Sequence, residues 1–189
     1  GEHGQVAHGR SVYKQEVHVP LLVIPPPRSA RPRLVREPVS VREIPATVAE
    51  WVGLGTRSPF PGRSLTRFLD DDTERPSEKS PVLCELQDNI FFETGELSAD
   101  FRALKSLVSE GLIYIRGDDG REELYSLETD PLEMTDLTKY PRSGPVLDRF
   151  RAELSLICGD GARPTRPATD PGRPEGRSAV AVAPTGRMD

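Results

Sequence analysis

The sequence predicts an α/β protein: the end of a mixed sheet with packed helices, followed by a small antiparallel sheet with a helix. Three observations lead there. A polar, Gly- and His-rich loop at residues 1–15 runs into the most apolar stretch of the chain, Val19-Pro20-Leu21-Leu22-Val23-Ile24, the arrangement by which α/β proteins place loops beside a sheet. Two later segments, 40–52 and 144–158, carry apolar residues at helical spacing. Between them, short β-rich runs alternate with Gly-containing turns.

Taken in order, residues 16–25 are expected to be a strand. Val17, Val19, Leu21, Leu22, Val23 and Ile24 form a near-continuous apolar run, the pattern of a strand buried on both faces of a largely parallel sheet. Pro25-Pro26-Pro27 ends it, because prolines lack the backbone donor a ladder needs. Residues 28–37, with Arg28, Arg31, Arg33 and Arg36, read as a solvated basic linker rather than an anion site. Over 40–52, Ser40 and Glu43 have capping-box spacing, and Ile44, Val48, Trp51 and Val52 share one face, expected to be the buried one. Gly53 suits the C′ position. Pro45 fits only if the helix begins near Glu43, which leaves it in the donor-orphaned first turn.

Residues 54–80 read as loop with one short helical turn, and Asp70-Asp71-Asp72 as a solvated acidic loop without the spacing of a calcium site. Val82–Leu86 and Ile90-Phe91-Phe92 are β-rich. The Ser109-Glu110-Gly111 turn suits a hairpin between 103–108 and 112–116, yet Phe101, Leu104, Leu107 and Val108 also fit a helix. Asp118-Asp119-Gly120 reads as a turn. The last helix, 144–158, presents Val146, Leu147, Phe150, Leu154 and Ile157 to one side. From Gly159 onward the chain is Pro-, Gly- and Arg-rich and is expected to be disordered.

Composition narrows the function. A formal charge of −5 disfavours nucleic acid as partner, which needs a basic face. No apolar run approaches the roughly 20 residues that span a membrane. Cys84 and Cys158 are too few for a disulfide scaffold or a zinc site, and read as two unpaired thiols. The methionines are Met134 and Met188, and the chain opens inside a motif, so it is expected to be part of a longer protein.

That motif carries a resemblance. Gly1-Glu2-His3-Gly4, then His8-Gly9-Arg10-Ser11-Val12-Tyr13, then His18-Val19-Pro20-Leu21-Leu22-Val23 resembles the string GEHG…GHGxSLY(D/E)ELLHVPLIV of the sulfatase branch of the alkaline phosphatase superfamily. A second block, Glu123-Leu124-Tyr125-Ser126-Leu127-Glu128-Thr129-Asp130-Pro131-Leu132-Glu133, is similar to the ELYxLxxDPxE found near the C-terminus of sulfatases. Between the two blocks, PVSVREIPATVAEWVGL is similar to a surface helix that packs on the family's main sheet. The resemblance favours strand over helix for 103–108. It implies the end of an alkaline-phosphatase-like mixed sheet within residues 1–69, as the C-terminal part of a catalytic domain. An antiparallel subdomain over 70–158 and a tail over 159–189 complete the expected organisation.

The function so implied is hydrolysis of sulfate esters of small molecules or glycans. The family uses a formylglycine nucleophile made from C/S-x-P-x-R and a calcium ion that clamps the sulfate, with basic groups stabilising the developing charge. This chain has no C/S-x-P-x-R, and the family's Asp-His/Asn-Gly metal motif lies ahead of GEHG. Both the nucleophile and the calcium ligands are therefore expected upstream, and no metal ligand is assigned here. His8 is the residue placed in the sulfate pocket, for catalysis and for substrate binding, where a protonatable ring can hold a sulfonyl oxygen or act as general acid. His3 is expected either to support the site residues from behind or to be structural, and His18 to be structural. Two alternatives stand beside this reading: a phosphodiesterase or phospho-group transferase of the same superfamily, with Thr or Ser as nucleophile, and a non-catalytic interaction module.

Overall fold

The computed structural model describes residues 2–4, 9–25, 32–55, 59–69, 80–87 and 103–159. The expectations for His8, Asp70–Asp72, Ile90–Phe92 and the tail beyond Gly159 lie outside the described residues.

A four-stranded antiparallel sheet organises the fold, in the order β1 (Val82–Leu86), β2 (Leu104–Ser109), β3 (Leu112–Gly117) and β4 (Glu122–Ser126). Each connection between β2, β3 and β4 is a short turn with a local cause. Ser109 pairs with Leu112, so Glu110 and Gly111 form a two-residue loop with φ of 49° and 76°. Positive φ at both positions matches the right-handed twist of the strands it joins. Between β3 and β4, Asp119 accepts from the Arg121 backbone N–H and from its Nε.

Side chains alternate across the sheet, and each face has its own cover. On one face Leu107, Tyr114 and Leu124 pack against Leu147, Phe150 and Leu154 of helix α3 (Gly144–Cys158). The Tyr114 and Phe150 rings lie 5.6 Å apart. Burying a side chain of this size contributes roughly 2–3 kcal/mol. On the other face Ile113, Ile115 and Tyr125 pack against Val12, with Tyr13 and Val17 at the margin. β3 is therefore covered on both sides, which accounts for its uninterrupted Leu-Ile-Tyr-Ile run. Val146 packs at the margin of the α3 core, whereas Ile157 is exposed.

The segment expected to be a buried strand is different. Residues Lys14–Val17 form a single helical turn, α1, and residues 18–25 have no strand partner among the described residues. Val19, Leu21, Leu22 and Ile24 are exposed, Leu22 at 82 %. A strand is defined by a partner, and none of the described residues offers 18–25 a ladder.

Helix α2 (Glu43–Trp51) lies where the periodicity puts it, with Pro45 in the first turn. Gly53 has φ 80°, its N–H bonds Glu50 O and that of Leu54 bonds Ala49 O. These are the paired bonds of a Schellman cap. The capping box is not formed: Ser40 Oγ accepts from Arg42 N instead, and Arg42 occupies the N-cap position. The buried face is also not the expected one. Glu43, Ala46, Thr47 and Ala49 are covered, while Ile44, Val48, Trp51 and Val52 are exposed. The cover comes from the helical turn Leu65–Phe68. Thr47 Oγ1 accepts from Leu65 N at 2.8 Å, and Arg67 Nη2 meets Glu43 Oε2 at 2.9 Å. Periodicity identifies a face that gains from burial, but it does not supply the surface that covers it.

Candidate functional site

The turn that follows His8 is built around one carboxylate. Gly9 takes φ 79°, which aims successive backbone N–H groups the same way, an anion-binding arrangement. Gly9 N, Arg10 N and Ser11 N all point at Glu16 Oε2, at 2.7, 3.2 and 3.4 Å, and Ser11 Oγ donates to Glu16 Oε1 at 2.7 Å. Burial alone would push this carboxyl up, but the Ser11 hydroxyl and the three N–H groups together hold it below its ordinary value.

The same turn is fastened to the ELYxLxxDPxE block. Tyr13 donates its hydroxyl to Glu123 Oε2 at 2.7 Å, and Tyr125 donates to the same oxygen at the same distance. Burial, reinforced by the Glu123 carboxylate, raises both phenols, so each remains a donor. The His3 ring stacks on Tyr13 with centroids 3.7 Å apart and places Nε2 3.1 Å from Leu132 O. A carbonyl only accepts, so Nε2 is the protonated nitrogen in this contact. Lys14 N donates to Glu133 Oε2 at 2.9 Å. Residues separated by 110 to 129 positions thus form one assembly.

His3 ties the first motif block to Leu132 through its ring. His18 sits just after α1, exposed, with its backbone N–H bonded to Lys14 O. Within the ELYxLxxDPxE block Asp130 accepts from Met134 N and Thr135 N. What the sequence reading missed is that Glu16, Glu123 and Glu133 anchor the histidine loop. Glu16 had a legible signal, a carboxylate seven residues beyond a glycine that opens a run of N–H groups. Glu123 and Glu133 open and close the ELYxLxxDPxE block, but nothing local names Tyr13 and Lys14 as their partners, since a contact across more than a hundred residues leaves no local period.

A cleft of ≈ 330 Å³ opens between this turn and β1, bordered by Gly9, Ser11, Glu16, Cys84 and Glu85. Its chemistry is quiet. The oxygens of Glu16 are engaged by the turn, and burial pushes the Cys84 thiol up, away from the reactive thiolate. Cys84 and Cys158 are free thiols. By strand alternation Cys84 lies on the face opposite Leu83, whereas Cys158 packs with Leu83 on the α3 side. Among the described residues no three His, Cys, Asp or Glu side chains converge to hold a metal ion.

No family model and no curated protein matches the sequence. Solved structures do. An inferred sulfatase from Bacteroides thetaiotaomicron VPI-5482 is similar at 22 % identity and a TM-score of 0.50, over 67 % of this chain and 26 % of that one. A 2-O GAG sulfatase is similar at 22 % identity and a TM-score of 0.48, over 60 % and 23 %. A phosphonate monoester hydrolase of Agrobacterium radiobacter is similar at 20 % identity and a TM-score of 0.44, over 62 % and 24 %. At the first of these values the fold is shared, and the α/β class with its antiparallel sheet stands. This chain spans about a quarter of the length of that structure.

Proposed function

We propose that this chain is the C-terminal portion of a sulfatase-type hydrolase of the alkaline phosphatase superfamily, acting on sulfate esters of small molecules or glycans. In this reading the formylglycine nucleophile and the calcium ion belong to residues outside the chain, and His8 enters the sulfate pocket. One observation carries it. The two motif blocks that resemble the family, far apart in sequence, are joined by His3–Leu132, Tyr13–Glu123 and Lys14–Glu133. The shared fold with the Bacteroides protein supports the same reading.

The chemistry asked of this chain is limited and specific. A histidine at position 8 in its protonated form binds a sulfonyl oxygen or delivers a proton to the departing alcohol, a contribution of about 10²–10⁴ in rate. The turn held by Glu16 and Tyr13 restrains the chain on the C-terminal side of that histidine. Orientation matters because a misplacement of about 1 Å costs roughly a hundredfold. The test is His8→Ala in the intact protein, supplied with calcium and a formylglycine-generating enzyme. The expected result is a loss of about 10²-fold or more in kcat for an aryl sulfate, with folding retained. Full activity in the variant would remove His8 from the site.

A further inference from the structure

Glu133 is one of the carboxylates that fasten the two motif blocks together, and it is unusual in three ways. It is fully buried, at 0 % exposure. Its backbone takes φ 56°, a left-handed conformation that few residues other than glycine adopt. Its Oε1 has no hydrogen-bond partner, while Oε2 accepts from Lys14 N. Each of these opposes folding, and such features persist together where the surrounding structure holds a residue for a purpose. The groups around it are the His3 ring, Lys14 on the docked turn, and the Asp130 carboxylate of its own turn.

The bond to Lys14 indicates the purpose. Lys14 opens α1, and the first N–H groups of a helix have no partner within it. Glu133 supplies one from 119 positions further along the chain, where the first motif block passes into the helical turn. The contacts Tyr13–Glu123 and His3–Leu132 join the same two segments.

We propose that Glu133 is a positioning residue, whose side-chain oxygen caps Lys14 N–H and fixes the Gly9–Val17 turn on the sheet. Its consequence for catalysis rests on the sulfatase reading; the anchoring does not.

The test uses the intact protein and two variants, Glu133→Ala and Glu133→Gln, with amide hydrogen exchange read in peptides covering 9–17 and 104–117. Glutamine keeps an acceptor oxygen and the shape of the side chain; alanine keeps neither. Exchange in 9–17 is expected to accelerate about tenfold or more in Glu133→Ala, with 104–117 unchanged, and to return to within about threefold of wild type in Glu133→Gln. Unchanged exchange at 9–17, or equal acceleration in both regions, overturns the proposal. On an aryl sulfate, Glu133→Ala is expected to lower kcat and kcat/KM together by about tenfold, with rescue by Glu133→Gln. Selective loosening at 9–17 with kcat unchanged overturns the catalytic consequence. If the wild-type protein hydrolyses no sulfate ester, the sulfatase reading fails and the exchange result alone decides the anchoring.

Discussion

Glu122 joins the sheet to α3, and its replacement by glutamine has a calculable effect. The carboxylate receives Arg151 through both oxygens, at 2.9 and 2.5 Å, and also accepts the Tyr114 hydroxyl. The Arg151 bonds, outweighing the cost of burial and aided by the phenol, hold the carboxyl at about 2 against an ordinary 4.5. At about 1.4 kcal/mol per pH unit this amounts to roughly 3 kcal/mol. Arg151 is 44 % exposed, so screening by water and salt reduces the expected loss in Glu122→Gln to about 1–2 kcal/mol at neutral pH. The assay is a urea titration of the intact protein with hydrogen exchange read in peptides from β4 and α3, where the midpoint should fall by about 0.5–1 M. Glu110→Gln serves as control. It breaks the exposed pair with Arg149 and should cost no more than about 0.5 kcal/mol. The pH dependence follows from the sign. A carboxyl depressed in the folded state stabilises fully above its unfolded value, and the benefit is lost as pH falls from 4.5 towards 2. The gap between wild type and variant should therefore be widest near neutrality and close across that window. A midpoint shift no larger than that of Glu110→Gln, or a gap constant down to about pH 2.5, would refute the reasoning.

Two further substitutions probe other parts of the fold. Glu16→Gln places an amide donor against the N–H groups of Gly9, Arg10 and Ser11. It should cost about 1–3 kcal/mol near neutral pH, measured as urea sensitivity of the 9–17 peptide. Because Glu16 is also depressed when folded, that cost should shrink as the medium turns acidic; a cost that grows there would contradict the anion-nest account. Gly62→Ala sets a Cβ 2.9 Å from Arg42 O at φ 121°, where backbone cannot yield cheaply. It should destabilise the α2 segment by about 1–3 kcal/mol, seen as faster exchange at Leu65 N, and an unperturbed Leu65 would argue against the close approach.

Where sequence reasoning succeeded, the determinants were local. Glu110-Gly111 specify their turn through backbone conformation, Asp119 its own through its carboxylate, and α3 announces Leu147, Phe150 and Leu154 by spacing. Where it failed, the missing information was a partner. The run 19–24 has strand composition but no ladder among the described residues. Ile44, Val48 and Trp51 form a proper apolar stripe that the described residues leave exposed. Glu122 to Arg151 and Glu133 to Lys14 are pairings across the fold, specified by topology. His8 rests on the motif resemblance.

The central claim is that these docked motif blocks belong to a sulfate ester hydrolase. The most direct test is steady-state turnover by the intact protein, with calcium and a matured formylglycine, of one aryl alcohol presented as its sulfate, phosphate and phosphonate esters. The account predicts that the sulfate ester has the highest kcat/KM. Preferential turnover of the phosphate or phosphonate ester, or no turnover of any ester by folded protein, would contradict it.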